Sequence, residues 1–288
     1  MRGFILLGVL LGGSITGGVV RSHVRSFVIA SICFVFLVMG GSCASESTLD
    51  TSEPWDLVWF SDSSGFFVAD QWADRIEEEF GVEVRVHDYA KGSLSAVQVL
   101  DSLDGNDEGS HSRLGDLRDE VADAEVVVIY GNPVESGETS DIGICVSTDT
   151  TPREPPTHYS EADFAPYRQV LRSIYDIVEE LRGDQATIVR AIDLYVPVIA
   201  DWRAAGIDTE CTAAWETWSQ TIRDTAAEYG VLTVSMFDEF NGADHREDPR
   251  EKGFIISDGE HTTPAGQAAM VEALDSAGYD VSTLGSEG

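Results

Sequence analysis

The chain has 288 residues, 43% of them hydrophobic and 9% aromatic, which excludes a disordered or collagen-like polymer and allows one large domain or two small ones. It carries 51 Asp+Glu against 18 Lys+Arg, a net charge of −33, and its only lysines are Lys91 and Lys252. Nucleic acid, which needs cations along its phosphates, is a poor candidate partner, and none is expected. An acidic, lysine-poor surface suits high salt, where self-repulsion is screened, and is equally that of an ordinary acidic exported protein.

Residues 1–42 hold Arg2, Arg21 and Arg25 and no acid, so the remainder carries a net −36. An apolar run of 13 residues, Phe27 to Met39, follows Arg21 and Arg25 and ends at Gly40-Gly41-Ser42-Cys43. A basic stretch, a short apolar stretch and small residues describe an export signal, and 13 residues are few for a membrane span. Cys43 stands where a bacterial lipoprotein signal places its lipidated cysteine; plain secretion or an uncleaved anchor are the alternatives. Residues 43–54 are rich in Ser, Thr and acids and read as a tether. The expected location is extracytoplasmic, secreted or attached to a membrane through the N-terminal segment or lipid.

From residue 55 short apolar runs alternate with helix-period segments. Strands are expected at Asp56–Phe60, Val82–His87, Glu125–Tyr130, Ala186–Ile192 and Val231–Phe237. Helices are expected at Ala69–Phe80, Leu94–Leu103, Leu114–Ala124, Phe164–Arg182, Ala213–Tyr229 and Pro264–Ala277, the last capped by Thr263 with proline at its first position. Strands alternating with helices predict one α/β domain over residues 55–280 with a parallel sheet, then a short tail at 281–288. Gly137–Asp163 is the one long irregular segment, placed to wall a site at the carboxyl end of the sheet. Outside the leader, Cys145 and Cys211 remain, and in an oxidising compartment they are expected to pair. The six tryptophans read as core or pocket wall rather than a cofactor box. Asp238-Glu239 and Asp244-His245 read as a polar loop rather than a metal site.

Two segments carry chemistry. Ser61-Asp62-Ser63-Ser64-Gly65 follows the first strand and precedes a helix, which puts a serine at the carboxyl edge of the sheet beside backbone N–H groups able to hold an anion. Ser257-Asp258-Gly259-Glu260-His261 precedes the last helix. Asp and His three residues apart fit one turn, the carboxylate fixing the imidazole tautomer. Of the six histidines only His261 has an acid at this spacing in a turn before a helix.

Together these segments resemble the SGNH hydrolases, also called the GDSL esterase/lipase family, over roughly residues 55–275. The first family block, Gly-Asp-Ser-Leu, is matched by Ser61-Asp62-Ser63-Ser64. The glycine of the second is matched by Gly92, the asparagine of Gly-x-Asn-Asp by Asn132, and the Asp-x-x-His block by Asp258 and His261. Ser61, Ser64, Tyr130 and Pro133 depart from the family pattern, and Ser64 stands as an alternative nucleophile.

The resemblance implies a three-layer α/β/α flavodoxin-like fold with a five-stranded parallel sheet. It implies a serine hydrolase acting on an acyl ester, of the esterase, lipase or carbohydrate acetylesterase type, with a small-molecule or glycan ester as substrate. Its catalytic residues would be Ser63, Asp258 and His261, its oxyanion donors Ser63, Gly92 and Asn132, and it would need no metal or organic cofactor. A binding protein on the same scaffold, or an acyltransferase, are the other readings the altered blocks leave open.

Overall fold

The computed structural model describes residues 49–106, 114–133, 145, 161–282 and 284; the export segment, Cys43 and most of the 137–163 loop lie outside the described residues. Five strands form one wholly parallel sheet in the order β2-β1-β3-β4-β5: β1 Trp55–Phe60, β2 Val84–Asp88, β3 Val126–Ile129, β4 Ile188–Ile192 and β5 Leu232–Val234. β1, β3 and β4 are central and buried throughout, as their nearly unbroken apolar runs require when helices cover both faces. β2 and β5 lie at the edges and are partly exposed.

Helices α1 (Val68–Phe80) and α8 (Pro264–Ser276) pack together over one face of the sheet. The other face is covered by α2 (Ala96–Leu103), α3 (Leu117–Asp123), α4 (Glu161–Arg182) and α6 (Asp208–Glu228), which pack in series. This is the layering that right-handed crossovers give once the chain steps first to β2 and then back across β1 to β3. Each helix stops where its sequence stops it. Gly81 ends α1 in a left-handed turn at φ 68°, and Thr263 caps α8 by accepting from the Gly266 N–H, with Pro264 behind it.

Two short helices were not expected from periodicity: α5 (Ile199–Ala205) and α7 (Met236–Asn241). The apolar run Val231–Phe237 predicts a longer fifth strand, but the strand ends at Val234. The Ser235 hydroxyl accepts the Asp238 N–H, and the Asp193 carboxylate accepts the Phe237 N–H at 3.1 Å. Those bonds turn the chain out of the sheet into α7. Beyond α8 the chain returns to the sheet, where Ser282 N donates to Thr187 O at 2.8 Å and Tyr279 stacks on Trp72. Before β1, Leu49 packs on the core and Trp55 Nε1 donates to Asp50 O. No helix among the described residues is long and apolar enough to cross a membrane.

Candidate active site

The strand order places the carboxyl ends of β1 and β3 side by side, with their connections leaving in opposite directions. Ligands bind at such a switch point in open parallel sheets. Here it gathers the segments that the sequence singled out.

At the end of β1 the chain makes a single turn of 3-10 helix, Ser63–Gly65, capped by Asp62. Asp62 Oδ1 accepts the Ser64 N–H at 2.8 Å, and Oδ2 accepts from Asn132 Nδ2 at 2.6 Å, so one buried carboxylate ties the serine turn to the end of β3. Burial pushes the Asp62 carboxyl up, opposed by those bonds and by the nearby His261. Ser61, where the family has glycine, is fully buried. Its hydroxyl accepts from Trp59 Nε1 and donates to Asp62 O, each at 3.0 Å, so it faces inward and leaves the turn clear.

Ser63 and Ser64 both line a pocket of about 260 Å³. The Ser64 hydroxyl faces the phenols of Tyr130 and Tyr195, whose pKa values burial raises and this contact opposes. Tyr130, in place of a family glycine, thus supplies a neutral O–H to the pocket, and Pro133 lines it. Asn132 also lines it. Gly92 lies in an exposed turn from Lys91 to Leu94, and its neighbour Ser93, at φ 59°, reaches the pocket wall. The N–H groups of Ser63, Gly92 and Ser93 donate no hydrogen bond to other described residues.

The loop before α8, whose Glu260 lines the pocket, doubles back so that Ile256 N donates to His261 O and Thr263 N donates to Phe254 O, each at 2.8 Å. Asp258 Oδ1 accepts the N–H groups of Glu260 and His261, and Oδ2 lies 2.7 Å from His261 Nδ1. The Glu260 N–H first, then the His261 N–H and imidazole, bring Asp258 down to about 2. An ionised Asp258 keeps the proton on Nδ1 and leaves the Nε2 lone pair available as a base. The imidazole lies parallel to the Phe66 ring at 6.3 Å and 7°, so the segment just after the serine turn and the histidine loop share one wall. Among the described residues no hydrogen bond joins His261 Nε2 to either serine hydroxyl. Such bonds are often long before substrate binds.

The pocket lining also includes the apolar Leu194, Val198, Trp202 and Trp215, and Cys145. Cys145 is disulfide-bonded to Cys211 at the start of α6. Of the six tryptophans, Trp202 and Trp215 line the pocket, while Trp55, Trp59, Trp72 and Trp218 are buried core. Tyr195 and Asp193 follow β4 and were not singled out by motif; the signal available was their place at a strand's carboxyl end. His245 is bracketed by Glu216 and Asp238 and stacked on Phe237, and no group of three or more His, Cys, Asp or Glu placed to hold a metal occurs among the described residues.

Solved structures share this fold. The lipase Lip_vut3 from a goat rumen metagenome matches with a TM-score of 0.57 at 18% identity, over 78% of this chain and 98% of that one. A catalytic mutant of Axe2, an acetylxylan esterase from Geobacillus stearothermophilus, matches at 0.51 and 12% identity, over 80% and 98%. LAE5, an alpha/beta hydrolase enzyme from the metagenome of Lake Arreo, Spain, matches at 0.50 and 13% identity, over 77% and 94%. At such identities the likeness is one of fold. No family model and no curated protein matches the sequence.

Proposed function

We propose that the protein is a carboxylic ester hydrolase of the SGNH type, with Ser63 as nucleophile. The observation that carries this reading is the Asp258–His261 pair, hydrogen-bonded at 2.7 Å and set against Phe66 beside the serine turn. A serine hydroxyl is a weak nucleophile at neutral pH and needs such a base. Ser63 is favoured over Ser64 because the Ser64 hydroxyl faces the two phenols.

In the reaction, Ser63 Oγ attacks the ester carbonyl as His261 Nε2 takes its proton. Asp258 holds the ring and stabilises the imidazolium. The negative charge on the carbonyl oxygen falls among the N–H groups of Ser63 and Gly92 and the Asn132 amide; one such donor is worth about 3–4 kcal/mol of barrier. The C–O bond then breaks, and the leaving alcohol takes the proton from His261. Water, activated by the same imidazole, releases the acid from Ser63. None of these steps calls on a cofactor. The substrate class is a small-molecule or glycan ester, met outside the cytoplasm by an exported protein tethered through Cys43.

Labelling with a fluorophosphonate followed by peptide mass spectrometry tests this. The phosphonyl group is expected on Ser63, and Ser63→Ala is expected to lose both labelling and para-nitrophenyl acetate hydrolysis while melting as the parent does. A label on Ser64 moves the nucleophile by one position. An unlabelled, inactive parent discards the mechanism.

A further inference from the structure

The large apolar side chains most exposed among the described residues are Phe67 at 67%, Leu232 at 46% and Ile256 at 41%. Leu232 lies on the edge strand β5, and the other two lie on the segments next to Phe66 and His261. Phe67 meets Phe66 edge-on at 6.1 Å, Phe66 stacks on His261 at 6.3 Å, and the Ile256 N–H donates to the His261 carbonyl at 2.8 Å. Phe67 and Ile256 therefore stand on the two segments that adjoin the histidine, one just after the serine turn and one across the loop before α8.

Phe67 is held there against its own backbone preference. Its φ of 65° and ψ of 10° are left-handed, an uncommon state for a bulky residue. A glycine would fit that turn without strain. The phenylalanine instead leaves most of its surface in solvent, with the edge of Phe66 against its ring. Strained residues at a site rim and contiguous exposed apolar surface both point to a ligand.

The hydrolase reading, on which this inference rests, says which part of the ligand lies there. The group leaving past His261 is the alcohol, because that imidazole returns the proton to it. The hydrolase reading then assigns the acyl group to the pocket that Ser63 shares with Trp202 and Trp215. Charge narrows the alcohol further. Among the described residues the pocket lining includes Asp62 and Glu260 and no Lys or Arg, and Asp258 stands beside the histidine, so an anionic alcohol is disfavoured.

We propose that Phe67 and Ile256 form an alcohol-side shelf that selects esters of neutral, apolar alcohols, aryl or long-chain alkyl, over esters of small or anionic ones. The two residues are specificity determinants and take no part in proton transfer.

The test uses the full chain and a series of acetates, methyl, butyl and benzyl, in which only the alcohol changes. For the parent, kcat/KM is expected to rise by about tenfold or more from methyl to benzyl acetate, since each methylene removed from water on an apolar surface adds to binding. Phe67→Gly, which suits the left-handed turn, and Ile256→Ser are each expected to cut the benzyl-to-methyl ratio several-fold, mainly through KM. A flat series in the parent, or an unchanged ratio in both variants, overturns the shelf while ester cleavage and Ser63 labelling stand. A parent that cleaves none of the esters and takes no fluorophosphonate overturns the hydrolase reading, and the shelf with it.

Discussion

A methyl group at position 65 would sit 2.3 Å from Ser61 Oγ and 2.8 Å from Ser61 Cβ, so Gly65 is required by its neighbour rather than by its own backbone angles. Ser61 cannot yield, because its hydroxyl is held by Trp59 Nε1 and the Asp62 carbonyl. Gly65→Ala is expected to destabilise the fold by about 1–3 kcal/mol, the usual cost of overpacking, and to lower the proposed esterase activity by displacing the serine turn. Thermal melts and kcat/KM on para-nitrophenyl acetate check both effects, and a variant with parental Tm and activity would show that the turn has slack. At this scale much of the site was legible. Asp258 and His261 were readable from spacing because their bond lies within one turn. The inward placing of Ser61 was not, because its partners Trp59 and Asp62 show no motif, and the Tyr130 and Tyr195 phenols around Ser64 were not, because they come from the ends of other strands.

Among the elements, β4, α6 and α7 are tied through one carboxylate. Asp193, fully buried just after β4, is paired with Arg223 of α6, accepts from the Ser235 hydroxyl at 3.1 Å, and accepts the Phe237 N–H of α7. Burial pushes it up to about 6, against the opposing pull of the Phe237 N–H and Arg223. A carboxyl whose folded pKa is raised binds its proton more tightly in the folded state. Its share of stability is therefore fully present below the unfolded value of about 3.9 and is lost as pH rises through about 6. Asp193→Asn should lose this dependence, so its Tm should fall less than the parent's between about pH 4.5 and 7. A parallel fall in both proteins would show that Asp193 does not titrate in that window. The same residue explains why α7 was hidden: a helix start set by a carboxylate from β4 leaves no local signal beyond Ser235.

At the scale of the molecule the cations are few, and among the described residues they are largely engaged. Arg85, Arg172, Arg223, Arg250 and Lys252 meet acids, while Arg182 and Arg190 are buried and donate to backbone carbonyls. Surface pairs are each worth about 0–1 kcal/mol, so screening them costs little, whereas the net −33 repels itself from every side. Raising KCl from about 0.1 M to 1 M shortens the screening length from about 10 Å to 3 Å and is expected to raise Tm. A Tm that falls with salt would mean that the paired charges outweigh the excess acids. The Cys145–Cys211 bond adds a restraint of another kind: it closes a span of 66 residues and fixes one point of the pocket's apolar wall. Its two cysteines were expected to pair, and Cys145, in the segment expected to wall a site, lines the pocket while Cys211 is buried in α6.

The sequence by itself determined what depends on near neighbours. The apolar runs set β1, β3 and β4, glycine, threonine and proline set the ends of the helices, and three-residue spacing set the Asp258–His261 pair. Only the tertiary structure decided what depends on strand order. Placing β1 between β2 and β3 brings Asp62 within 2.6 Å of Asn132, 70 residues on, and sets the Phe66 ring against His261. The physical reason is that a local hydrogen bond is encoded by the residues that make it. A meeting across the sheet is encoded by the burial of the whole core, to which no short segment of the chain gives access.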